Sequence, residues 1–102
     1  MSDSFAVEII SPSDSVLKTE TEEVTLPSYE GEMGILKDHV PIITFLRPGI
    51  ISIKQKNQDR KFFVEEGTVE FLKNNLLILT SSAKELSKFS KDEINNLIKI
   101  SE

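Results

Sequence analysis

Between Phe5 and Thr80 the apolar positions recur with a period of two, in short runs set apart by turn residues. In FAVEI, Phe5, Val7 and Ile9 fall on one side. In EVTLP, Val24 and Leu26 alternate with Glu23 and Thr25, and in GIISIK, Ile51 and Ile53 alternate with Ser52 and Lys54. Such alternation predicts strands that bury one face, because successive side chains of an extended chain point to opposite sides. KFFVEE sets Phe62 and Val64 against Phe63 and Glu65, so one of its two rings must turn toward the less buried side. NLLILT is apolar on both faces, which suits a strand in the middle of a sheet.

The connections carry turn chemistry. KNQDR at 56–60 and KNNL at 73–76 place Asn where hairpins need a left-handed backbone. Pro48 and Gly49 fit the central positions of a type II turn, the proline fixing φ and the glycine accepting a positive one. Pro41 drives His39 and Val40 toward extended geometry ahead of the strand IITFL. Short strands with turn signals about every eight to twelve residues predict an all-β sandwich or barrel.

After Thr80 the pattern becomes helical. Ser82 with Glu85, and Ser90 with Glu93, match capping boxes, and Ile94, Leu97 and Ile98 share one face. The predicted organisation is a β-sandwich domain over 1–81 and a short helical tail over 82–102. An isolated helix shorter than about 12 to 15 residues is marginal in water, so the tail must dock or fray.

Composition narrows the function classes. The chain has 102 residues, 38% of them hydrophobic, the size and apolar share of one ordinary domain. It lacks cysteine, which excludes a disulfide framework and a thiolate metal site and fits a reducing compartment. A net charge of −5 weighs against a nucleic-acid partner, since phosphate backbones reward clustered Lys and Arg. No run approaches the roughly 20 apolar residues that span a bilayer, so membrane association is expected only through a partner. The N-terminus MSDSFAVEIISPSDS has neither the basic start nor the apolar stretch of a signal peptide, so the chain is expected to stay where it is made.

One segment, EGEMGILKDHVPIITFLRPG from Glu30 to Gly49, concentrates glycine, proline and the single histidine. Gly31 and Gly34 have the spacing of a nucleic-acid-clamping GxxG loop, but Glu30 and Glu32 surround them with the wrong charge. A Walker-type phosphate loop is excluded by the missing Gly-Lys-Ser/Thr ending. Asp38-His39 invites a catalytic or metal reading. One imidazole without thiolates makes a poor zinc site, and adjacent Asp and His do not readily take the orienting geometry of a triad. A packed histidine beside a strand is the simpler expectation. The run ETEEVT reads as a solvated strand face, whereas EGE puts two carboxylates on a glycine-shaped loop, a place where a rigid scaffold often carries binding function.

This segment with its continuation, EGEMGILKDHVPIITFLRPGIISI, resembles the epsilon subunit of bacterial F-type ATP synthases, which reads approximately EGExGxxPGHxPxxTxLxPGxxxI. FAVEIISPSDSVL and FFVEEGTVEFLKNNLLILT resemble the opening and closing strands of that family, so the resemblance covers Phe5 to about Thr80. It implies a mostly β fold, a ten-stranded sandwich of two sheets, in a rotor subunit that has no catalytic residues, metal or cofactor of its own. That subunit couples the gamma subunit to the c ring of a proton-translocating synthase, as a peripheral component on the cytoplasmic face of the bacterial inner membrane. Carried over residue by residue, Tyr29, Glu30, Gly31 and Glu32 would meet the c ring. Ser11, His39, Val40, Pro41, Ile42 and Thr44 would face gamma, and Gly34, Pro48, Gly49 and Gly67 would shape turns.

The departures set further expectations. Lys37-Asp38 replaces the Pro-Gly that precedes the histidine, so this turn must be built differently. Glu66-Gly67 stands for paired glycines, leaving Gly67 alone to accept an unusual backbone conformation. The tail is shorter than the family's helical hairpin, and KDEINNL keeps Asp92 but has Asn95 and Asn96 where an ATP-binding signature has Arg-Ala. Inhibition of hydrolysis by a long arm and nucleotide binding are therefore not expected. The rivals from other classes are a free-standing β-sandwich adaptor that docks through its acidic EGE loop, and a small hydrolase using His39.

Overall fold

The computed structural model describes residues 3–12, 14–56 and 58–86. They form ten strands in chain order: β1 (Phe5–Ser11), β2 (Asp14–Thr21), β3 (Glu23–Ser28), β4 (Gly31–Leu36), β5 (Ile42–Leu46), β6 (Gly49–Gln55), β7 (Gln58–Val64), β8 (Gly67–Leu72), β9 (Asn75–Thr80) and β10 (Ala83–Glu85). The pairing path runs β10-β7-β6-β3-β5-β8-β9-β1-β2, with β4 on β3. It doubles back on itself at β3, whose ladder with β6 spans Glu23 to Thr25 while its pairing with β5 is only Ser28 with Leu46. Two layers result, β4-β3-β6-β7-β10 and β5-β8-β9-β1-β2, the sandwich that the alternation predicts.

The inward residues of both layers form one core. Phe5, Val7 and Ile9 of β1 meet Val24 and Leu26 of β3, Ile51 and Ile53 of β6, Phe62 and Val64 of β7, Val69 and Phe71 of β8, and Leu76 and Ile78 of β9 in a single buried cluster. Phe5 and Phe71 stack edge to face at 5.4 Å between centroids, the arrangement aromatic quadrupoles favour. Phe63 is the ring of its pair turned to the less buried side, as expected. Opposite the β3 hinge the layers are tied by polar bonds, Thr21 Oγ1 to the Lys54 carbonyl at 2.6 Å and Gln55 Nε2 to the Glu20 carbonyl at 2.8 Å.

Several local expectations are revised. The Ser82–Glu85 capping box does not form: Ala83, Lys84 and Glu85 pair with Val64, Phe63 and Phe62 as an edge strand. Leu86 is buried behind it, with its N–H on the Lys61 carbonyl at 2.8 Å. Burial of Leu86 and the free edge of β7 outweigh the local helical signal. The sandwich thus runs to residue 86, while the helix expected farther along, with the Ser90–Glu93 box and Ile94, Leu97 and Ile98, lies outside the described residues.

Gly49 opens β6 and does not take a positive φ, so the type II turn at Pro48-Gly49 is also replaced. A Cβ there would lie 3.1 Å from the Pro27 ring, so the glycine serves close approach. Gly67 likewise opens a strand, β8, without the expected unusual backbone, having no positive φ, and is needed for space instead, since a Cβ would overlap the Leu79 carbonyl oxygen. The KNNL turn is the expected left-handed hairpin, with φ 50 at Lys73 and φ 60 at Asn74, the signature of a type I′ turn.

Candidate functional site

The acidic EGE stretch belongs to a hairpin. Gly31 to Leu36 form β4 along the whole of β3, from Ser28 opposite Gly31 to Glu23 opposite Leu36. The tip is Tyr29-Glu30, and Gly31 follows at φ 119, a conformation that favours glycine. Buried Ser28 braces it: its hydroxyl donates to the Gly31 carbonyl at 2.7 Å and accepts the Glu30 N–H at 3.2 Å. Glu30 and Glu32 are exposed. Tyr29, 66% exposed, lies under the Arg47 guanidinium at 5.7 Å, a cation–π contact that holds the ring at the tip. Gly34 sits in the open on the β4 edge and shapes no turn.

The second feature is the outer face of the β5-β8-β9-β1 layer. Successive residues of β5 point to opposite sides, so Ile42, Thr44 and Leu46 turn toward the core while Ile43 and Phe45 turn out. Ile43 is 80% exposed and Phe45 65%. Register carries this stripe across the sheet: Phe45 stands opposite Thr68, Thr68 opposite Leu79, and Leu79 beside Ile10. The next row is Ile43, Glu70, Leu77 and Glu8, which places a carboxylate on either side of Leu77. Leu72 and Leu79 are exposed on the same layer. Exposed apolar side chains on two strands of one face, with Thr68 and Glu70 between them and Glu8 beyond, make this face a candidate docking surface.

The structure brings the sequence-derived positions to the two ends of β5. His39, Val40 and Pro41 lead into it, and Leu46 ends it opposite Ser28, next to Tyr29 and Arg47. His39 packs its ring edge-on to Phe71 at 5.9 Å, and its Nδ1 lies 2.7 Å from the Val40 carbonyl, to which it can only donate. Asp38 instead bonds Asn74, so Asp38 and His39 do not form an orienting pair. Val40 and Pro41 are exposed, whereas Ile42 and Thr44 are half-buried on the inward side. Ser11 is half-buried at the end of β1, at the Gly67 and Thr80 end of the sheet.

Sequence reasoning missed the outward pair Ile43 and Phe45 and their neighbours Leu77 and Leu79. The signal was present in NLLILT, apolar on both faces, and in Phe45 alternating with the buried Leu46. Among the described residues no group of three or more His, Cys, Asp or Glu is placed to hold a metal, and no helix is long and apolar enough to cross a membrane.

Fold and surface together define a small β-sandwich docking module whose exposed chemistry is an apolar sheet face beside an acidic, aromatic hairpin tip. Residues 4–86 match the sequence model of the family described as "ATP synthase, Delta/Epsilon chain, beta-sandwich domain". The chain belongs to this family of non-catalytic ATP synthase subunits. It is 50% identical over 99 residues to the ATP synthase epsilon chain of Pelagibacter ubique (strain HTCC1062), covering 96% of this chain and 76% of that one. The ATP synthase epsilon chain of Rhizobium etli (strain CIAT 652) is 34% identical, with 96% and 73% covered. Among solved structures, a chain of the Euglena gracilis mitochondrial ATP synthase, OSCP/F1/c-ring, superposes with a TM-score of 0.81 at 17% identity. That match spans 98% of this chain and 64% of that one, and at such identity it shows the shared fold.

Proposed function

We propose that this chain is a rotor subunit of a bacterial proton-translocating F-type ATP synthase, joining the gamma subunit to the c ring in the central stalk, at the cytoplasmic face of the membrane. It does no bond chemistry. Its task is to make two neighbouring bodies turn as one, which requires a stiff module with two adjacent interfaces. The observation that carries the reading is the single strand β5: its outward Ile43 and Phe45 belong to the apolar face, and its far end adjoins the Tyr29-Glu30 tip. Five strand residues span only about 17 Å, and both surfaces are held by one core.

The apolar face is the part suited to gamma. Its carboxylates Glu8 and Glu70 on either side of Leu77 favour a partner that sets basic groups beside an apolar ridge. The tip, with Tyr29, Glu30 and Glu32, is suited to polar ring loops that offer it basic groups. Exposed ion pairs contribute about 0 to 1 kcal/mol each, so the carboxylates set register while apolar anchors supply the grip. Membrane association then comes through the complex.

The test is co-purification from membranes carrying a tagged chain, with proton-driven ATP synthesis measured on the same preparation. Recovery of gamma and the c ring, and loss of coupling when the chain is stripped off, are the expected results. A chain that brings down no synthase subunit, or a stripped enzyme that couples normally, overturns the reading.

A further inference from the structure

Asn74 joins three segments that lie far apart in the sequence. Its carboxamide accepts the Asp38 N–H through Oδ1 at 2.7 Å and donates from Nδ2 to Asp38 Oδ1 at 2.9 Å. Its own carbonyl accepts the Ala6 N–H at 3.0 Å. One orientation of the amide satisfies both side-chain bonds, because a main-chain N–H only donates and a carboxylate only accepts. Both residues stand in left-handed backbone, φ 65 at Asp38 and φ 60 at Asn74, a region that costs every residue but glycine free energy and Asp and Asn the least. The turn at Lys37-Asp38 is therefore held by a reciprocal side-chain clamp across the β8–β9 hairpin.

What the clamp controls lies just beyond it. The His39 N–H closes the turn on the Leu36 carbonyl at 3.1 Å, the His39 ring meets Phe71, and Val40, 67% exposed, and Pro41 follow, leading into β5 with its outward Ile43 and Phe45. No strand ladder holds residues 37–41, which sit between β4 and β5. We infer that Asp38 and Asn74 are positioning residues for the docking face, fixing the backbone of His39, Val40 and Pro41, the segment that leads directly into β5 and its outward Ile43 and Phe45. This rests on the proposed gamma docking. The two bonds are exposed, where water competes for both partners, so they add little to global stability and act on the shape of the loop.

The chemistry predicts a reversal that simple loss of packing does not. Asn74→Asp sets two carboxylates against each other and removes the donor. Asp38→Asn alone keeps an acceptor for the Asn74 amide. Combining the two restores a complementary amide–carboxylate pair with the roles exchanged.

The experiment uses the full chain, with exchange of the Asp38 N–H followed by NMR and binding measured to a gamma-containing subassembly stripped of the chain. Asn74→Asp is expected to speed that exchange and to weaken binding about five- to tenfold, with thermal stability little changed. Asp38→Asn is expected to bind within about twofold of the parent, and adding it to Asn74→Asp to recover binding to about the same level. Binding that ignores a loosened turn, or a loss the second substitution does not recover, overturns the inference. Phe45→Ser in the same assay separates the two failures. If it weakens binding while the clamp variants do not, only the clamp falls; if nothing weakens binding, the docking reading falls with it.

Discussion

Arg60 on β7 grips Glu85 on β10 through two parallel hydrogen bonds, Nε to Oε2 and Nη2 to Oε1, each 2.8 Å long. The guanidinium also lies 5.6 Å from the Phe62 ring centroid. The hydrogen bond to Glu85 raises the Arg60 pKa above its usual value, burial opposes it, and the charge of Glu85 adds to it. A raised folded pKa means that the contribution of the guanidinium is fully present below its unfolded value and is lost only as pH rises through the folded one. Each side chain remains about a quarter exposed, 26% for Arg60 and 27% for Glu85, so solvent screening limits the pair to about 1 kcal/mol. Arg60→Gln should therefore cost about 1 kcal/mol in urea unfolding, and by the same amount at about pH 7 and about pH 10. A cost that disappears at the higher pH would assign the effect to another group.

Gly67 is the position where the sandwich tolerates least. A Cβ there would overlap the Leu79 carbonyl oxygen and come within 2.8 Å of Thr80 Cα, all backbone atoms that cannot swing aside. Gly67→Ala should destabilise the chain by about 3 kcal/mol. Gly34→Ala, whose Cβ would meet nothing nearer than a Glu23 carboxylate oxygen at 3.9 Å, should stay within about 0.5 kcal/mol of the parent. Equal denaturation midpoints for the two variants would show that β8 and β9 can part at Gly67 to admit a methyl group.

The apolar face gives a prediction of opposite character. Ile43 and Phe45 are 80% and 65% exposed, so replacing both with Ser removes little buried area and should leave the unfolding free energy within about 0.5 kcal/mol. Affinity for gamma should fall by at least about thirtyfold, as expected when central apolar anchors are truncated. A variant that unfolds, or one that binds normally, contradicts the assignment of these side chains.

The strands with strict alternation were legible because burial on one face writes itself into every second residue: β1, β3 and β6 follow it without exception at their buried positions. β4 was not, and the reason is physical. It is an edge strand with only Ile35 buried, so Gly31-Glu32-Met33-Gly34 reads as a loop although it pairs fully with β3. β10 failed for a similar reason, since three residues are too few to show a period and its partners come from β7, about twenty positions earlier. In the candidate site, resemblance pointed to the hairpin tip and the His39 turn, and it proposed Ile42 and Thr44 for gamma, which are half-buried on the inward side while Ile43 and Phe45 turn outward. A one-residue offset in a strand reverses the face, and only the register with β8 decides it. The Asp38–Asn74 clamp joins residues 36 positions apart, a pairing that no local pattern encodes.

Salt should separate the two proposed interfaces. Tyr29 and Glu30 form a hairpin tip whose backbone is set by Ser28 and Gly31, and Glu32 is exposed just behind it on β4. Reversing Glu32 to Lys should therefore leave folding intact while loosening attachment to the c ring. The screening length is about 8 Å at physiological ionic strength and about 3 Å at 1 M, so a carboxylate that sets register loses most of its influence in high salt. Apolar anchors keep theirs. Wash-off from ring-containing membranes should thus distinguish Glu32→Lys from the parent strongly at low salt and weakly near 1 M, whereas Phe45→Ser should be released more readily at both. A Glu32→Lys chain that unfolds places the residue in the scaffold, and one whose release ignores salt shows that the tip is held by something other than charge.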